Sequence, residues 1–217
     1  MLRPRAAALL AALACTLACQ VETGAQPPPS PSPFPRVAAT DVALQPQDIP
    51  AAVPRCAISG PMAAYLAELK VSNPDLYSRL AQAWKDWQAA GARDGAVVVY
   101  AEPAACASEL GADSSSRAAA SLVLVFGDDA AAERAWLDGI LGLKPPPPDQ
   151  RLAGLARGAA TGLGDDSWTF RTTTGGRAVF IACWREGPLA ILLTTRGLSA
   201  RESESAAAAV FARGRLN

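Results

Sequence analysis

Apolar residues recur along this chain at two spacings. Within Gly60–Val71, Met62, Leu66 and Leu69 lie at helical spacing. Asn73-Pro74-Asp75 then supplies a capping side chain, a proline suited to the first helical position and an acid in the first turn. Leu76, Leu80, Trp84 and Trp87 form one stripe, which predicts a helix over 74–90 closed by Gly91. Ala96–Tyr100 is β-rich, and Ala119–Phe126 is almost continuously apolar, as in a central strand. Asp128-Asp129 opens a further helix whose buried face is marked by Ala132, Trp136 and Ile140. Beyond Pro145–Pro148, three strands are predicted at Ser167–Thr173, Arg177–Glu186 and Leu189–Thr195. Thr174-Gly175-Gly176 and Gly187-Pro188 separate them at hairpin spacing. Ser199 and Glu202 form a capping box, and Ala206, Val210 and Phe211 face inward from the last helix. The order ααββαβββα predicts an α+β fold: an antiparallel sheet of about five strands with helices packed against it.

The N-terminal residues follow neither spacing. Arg3 and Arg5 precede an apolar or small run from Ala6 to Ala18, which has the length of a signal-peptide hydrophobic region and is too short to span a bilayer. Leu17-Ala18-Cys19 resembles the lipobox of bacterial lipoproteins, with Thr16 three residues before the Cys where Leu is usual. Residues 1–18 are therefore expected to be a signal peptide and Cys19 the lipidated N-terminus. Cys15 is a competing match that leaves a shorter hydrophobic region, and ordinary secretion with cleavage after Ala18 is the alternative to lipidation. Each buried acyl CH₂ contributes about 0.8 kcal/mol, and two chains suffice for stable attachment. Gln20, rather than Asp, resembles an outer-membrane sorting signal in a diderm cell. Residues 19–39 read as a tether. Six prolines between Pro27 and Pro35 favour extended polyproline II, reaching roughly 50 Å over residues 20–36. Residues 40–217 are expected to form one domain, with the four prolines at 145–148 in a surface loop.

Composition narrows the chemistry. Of 217 residues, 20 are Lys or Arg, 20 are Asp or Glu and none is His. Removing residues 1–18 takes away two arginines and leaves a net charge of −2, which disfavours nucleic acid as a partner. Without His, the commonest general base and zinc ligand are missing. There is no G-x-S-x-G, S-x-x-K or phosphate-binding loop, and Ser114-Ser115-Ser116 reads as a polar turn. Gly162-Leu163-Gly164 precedes a strand rather than a helix, so it is not a dinucleotide fingerprint. Asp128-Asp129 and Asp165-Asp166 are explained by a helix cap and a turn; a glycosidase or calcium role would need further acids in a regular pattern. No catalytic residue, metal or cofactor is expected.

Beyond the leader, Cys56, Cys106 and Cys183 remain. Cys183 falls mid-strand at the parity of Val179 and Ile181 and reads as a small buried hydrophobe. Cys56 and Cys106 lie in loops beside Pro54 and Pro103, and a Cys56–Cys106 bridge is predicted for an oxidising compartment. Trp168 and Trp184, on neighbouring strands, are read either as a cross-strand pair in a ligand cleft or as core aromatics.

Several segments carry a family resemblance. Asp41-Val42-Ala43-Leu44 with Asp48-Ile49-Pro50 resembles the L-x-x-x-D-L-P opening of actinobacterial-type extracytoplasmic lipoproteins and sensor domains. Ser121–Phe126 followed by Ala130-Ala131-Ala132 is similar to their strand-then-helix step. Leu163-Gly164-Asp165 resembles their (V/L)-G-D turn. Phe180–Ala190 resembles their F-R-x-G-N hairpin, with Pro188 replacing the usual Asn. The family includes PknH-type sensor domains and lipoproteins of a Mog1/PsbP-like α/β architecture. The resemblance implies a non-catalytic binding or sensing module. The resulting expectation is a cell-envelope protein, held by its N-terminal lipid on the outer face of a bacterial membrane. It would bind an envelope protein or a small ligand; the alternatives are a carrier of a lipid or other apolar ligand, and, less favoured, an envelope hydrolase.

Overall fold

A computed structural model describes residues 37–50 and 52–216. The expected signal peptide, Cys15, Cys19 and the proline-rich stretch up to Arg36 lie outside the described residues. The fold is α+β. The helices are α1 (Ala39–Val42), α2 (Met62–Ser72), α3 (Pro74–Ala89), α4 (Asp129–Asp138) and α5 (Ala200–Leu216). The strands are β1 (Gly60–Pro61), β2 (Ala92–Tyr100), β3 (Ala118–Phe126), β4 (Leu155–Arg157), β5 (Ser167–Thr174), β6 (Arg177–Glu186) and β7 (Leu189–Arg196). Among the described residues they form one open antiparallel sheet in the order β1-β2-β3-β7-β6-β5-β4.

The expected count of about five strands is therefore corrected to seven. The five long strands are those that periodicity marks. The two additions are edge strands of two and three residues, too short to carry an alternation. Helix signals translate directly into geometry. Asn73 Oδ1 accepts from Leu76 N at 3.1 Å, and Asp128 Oδ1 accepts from Ala131 N at 2.8 Å. Ser199 Oγ accepts from Glu202 N at 3.2 Å while Glu202 Oε2 accepts from Ser199 N at 2.8 Å, which completes the capping box. Ile140 lies beyond the end of α4, which stops at Gly139 with φ +98°. Ile140 is buried all the same.

Both faces of the sheet are covered. One core forms where α2, α3 and α4 bury Met62, Leu69, Leu80 and Ala132 against Val97, Leu122, Leu192 and Cys183. The other forms where α1 and α5 bury Val42, Ala206 and Val210 against Ala96, Val123, Ile191 and Trp184. Strand alternation sends successive side chains of each strand to opposite cores. The N-terminal segment is bound into the second core by polar anchors. Ala39 N donates to Asp94 Oδ2 at 2.8 Å and Leu44 N to buried Ser121 Oγ at 3.0 Å. Arg213 of α5 pairs with Asp48 and donates to the carbonyls of Val42 and Ala43 at 3.3 and 3.0 Å. Val37 packs against this core.

Candidate apolar groove

The face carrying the first core presents two aligned rows of side chains. Register places Val97, Leu122, Leu192, Cys183 and Trp168 side by side across β2, β3, β7, β6 and β5. The adjacent same-face row is Val99, Ala120, Thr194, Ile181 and Phe170. The first row is buried throughout, and the second is left partly open at Thr194, Ile181 and Phe170. Between Tyr65, Leu76 and Leu80 of the helices and Val97 and Leu122 of the sheet lies a cavity of about 250 Å³. A second, of about 280 Å³, sits over Val179, Ile181, Leu192 and Thr194. Both share one wall, made by Glu109, Leu110 and Leu141. The two cavities form one groove divided by that wall. From β2 to β6 the floor crosses three strand spacings, about 14 Å.

The dividing leucines come from different loops. Leu110 belongs to the loop between β2 and β3, and Leu141 to the segment after α4. They are the non-glycine residues with positive φ among those described, at 50° and 51°. A bulky side chain in this region costs energy and persists where the surroundings impose it. Those surroundings are fixed. A disulfide joins Cys56 and Cys106, with Cα atoms 5.6 Å apart, as loop position predicts. Asn73 Nδ2 donates to Ala107 O at 2.8 Å, and Arg79 pairs with Glu109 at 3.0 Å. Glu102 accepts from Ser115 N and Ser116 Oγ, so the serine run is a pinned turn. These hydrogen bonds hold the Glu102 carboxyl down at about 2. On the other side, Arg157 donates to the carbonyls of Pro146, Pro147 and Gln150 at 3.3, 2.8 and 2.8 Å, holding the proline loop.

The groove is apolar with a few polar groups at its margins. Tyr65 is buried, and burial, followed by the charge of Glu109, pushes its hydroxyl up to about 12. At the other end, Thr194 and Arg196 continue the same-face parity of Leu192 along β7. Such a site accommodates an apolar body and orients it through few polar contacts.

Trp168 and Trp184 do not form a cross-strand pair. Trp168 is opposite Cys183, and Trp184 is opposite Ser167. This one-residue offset sends the two indoles to different cores. Trp184 is fully buried, away from the groove. Trp168 contributes with Phe170 and Leu155 to a shallower cavity of about 270 Å³ under Pro145–Pro147. Cys183 is buried beside Trp168, and burial raises its thiol far above the ordinary range. Asp166 pairs with Arg185, and Asp128 caps α4. Sequence reasoning missed Leu110, Leu141, Thr194 and Arg196. One signal was available: polar Thr194 and Arg196 follow Leu192 at a parity that otherwise reads as core.

No protein-family model matches this chain, and no curated protein matches it. Among solved structures, the extracellular domain of PknH from Mycobacterium tuberculosis is similar at 9% identity and a TM-score of 0.37, over 59% of this chain and 67% of that one.

Proposed function

We propose that this protein is a lipid-anchored, non-catalytic ligand-binding domain of the bacterial cell envelope, of the sensor-like kind, and that its ligand is a small, largely apolar molecule. The divided groove over Val97, Leu122, Leu192 and Ile181 carries this reading. Its Glu109–Leu110 wall is held by a disulfide, a loop hydrogen bond and the Arg79–Glu109 pair, which preorganise the cavity and lower the ordering cost of binding. The disulfide suits an oxidising compartment outside the cytoplasm. The anchoring half of the proposal rests on the Leu17-Ala18-Cys19 sequence. A carrier uses the same groove and differs in giving up its ligand to an acceptor.

Mass spectrometry of the chain recovered from an oxidising compartment tests the binding half. Added mass under native conditions that disappears on denaturation is the expected result. A bare chain in both spectra, together with no uptake of any alkyl compound, removes the ligand-binding reading. For the anchor, radiolabelled palmitate should enter the protein and be lost with Cys19→Ser. Label that survives this change, or none in the unchanged chain, refutes it.

A further inference from the structure

The groove has a charged end. Arg196 closes the second cavity, on the same face as Leu192 and Thr194. Its Nε is buried without a hydrogen-bond partner, and among the described residues Arg196 forms no ion pair. Gly175, at the β5–β6 turn with φ +57°, leaves room beside the Arg196 Nη2. The other charged pair on the groove is already satisfied, since Glu109 is engaged by Arg79. A partly buried guanidinium without a counter-ion is costly, and a planar fork of donors matches a carboxylate or phosphate. An apolar floor leading to an unpaired guanidinium complements a molecule with an alkyl body and one anionic head.

We infer that the ligand is a single-chain anionic amphiphile, its carboxylate or phosphate monoester held by Arg196 and its chain lying over Ile181, Leu192 and Leu122 past the Leu110–Leu141 wall. This rests on the ligand-binding reading above and adds the ligand's chemical class. Arg196 is then a selectivity residue: it distinguishes an acid from the alcohol of equal length.

The test uses the full chain carrying Cys15→Ser and Cys19→Ser, so that no acyl chain of its own competes. Titration calorimetry compares decanoate, decanol and acetate below any micelle threshold. Decanoate is expected to bind about tenfold more tightly than decanol, the scale of one charge-assisted hydrogen bond. Acetate, lacking the chain, is expected not to saturate. Arg196→Gln should erase the preference for decanoate over decanol, while Arg196→Lys should keep part of it. Equal affinity for the two alkyl probes in the parent chain overturns the headgroup assignment and leaves the groove standing; this comparison does not depend on any Arg196 variant folding. A preference that survives Arg196→Gln, or acetate binding as tightly as decanoate, also overturns it. If neither alkyl probe binds, the groove reading fails and the assignment fails with it.

Discussion

Trp168 and Trp184 stand on adjacent strands, one residue out of register, and their indoles enter opposite cores. Trp184 is fully enclosed, and its indole N–H has no partner among the described residues. Trp184→Ala should therefore cost about 3–5 kcal/mol of unfolding free energy, as large aromatic truncations do. Trp184→Phe should cost far less, because no hydrogen bond is lost with the N–H. Denaturant titration of both variants checks the pair of values. Equal losses for the two variants would contradict this expectation.

The Cys56–Cys106 bridge closes a loop of 50 residues and holds the segment that carries Leu110. On chain-entropy grounds, replacing both cysteines with Ala should lower stability by about 4 kcal/mol. Denaturant unfolding measures the loss. In the native protein, iodoacetamide should leave Cys183 unmodified, because it is buried and its thiol is held protonated. Rapid alkylation of Cys183 under native conditions would contradict its place in the core.

Glu202 joins the cap of α5 to the β3 strand entrance through Arg117 and Ser199. The hydrogen bond from Arg117, then those from Ser199, bring its carboxyl from an ordinary 4.5 to about 2. A carboxylate with a lowered folded-state value stabilises the fold above its unfolded value and loses that contribution as pH falls through the folded one. Parent and Glu202→Gln should thus differ by a constant amount above about pH 4.5 and converge toward pH 2. Acid titrations of unfolding free energy check the convergence. A gap unchanged at pH 2 would be inconsistent with it.

Asp48 is nearly enclosed, with 3% of its side chain exposed, and Arg213 meets it from α5. Removing Asp48 takes away a buried carboxylate that meets Arg213 and also accepts from Gln45 N at 2.8 Å. Asp48→Ala should destabilise the domain by about 3 kcal/mol and make residues 37–50 more open to protease. A calorimetric melt and limited proteolysis report the two effects separately.

Much of the framework was legible because it is local. The helices that follow Asn73, Asp128 and Ser199 announce themselves through caps, and each cap forms the expected bond. The five long strands carry apolar content and turn residues that require no knowledge of the rest of the chain. Loop position pointed to the Cys56–Cys106 pair, and a mid-strand position put Cys183 in the core.

What only the tertiary structure decided is how separate segments meet. Strand alternation gives each side chain a parity, but register determines which parities line up. It separated Trp168 from Trp184 and aligned Leu122, Leu192 and Cys183. The two- and three-residue edge strands exist because a neighbour offers free backbone groups, a condition absent from their own residues. Leu110 and Leu141 lie 31 positions apart and show no periodicity, yet they build one wall of the groove. Local sequence determines which elements form, because capping and alternation act over a few residues. The groove and its charged end arise from long-range packing, where residues far apart in the chain share one cavity.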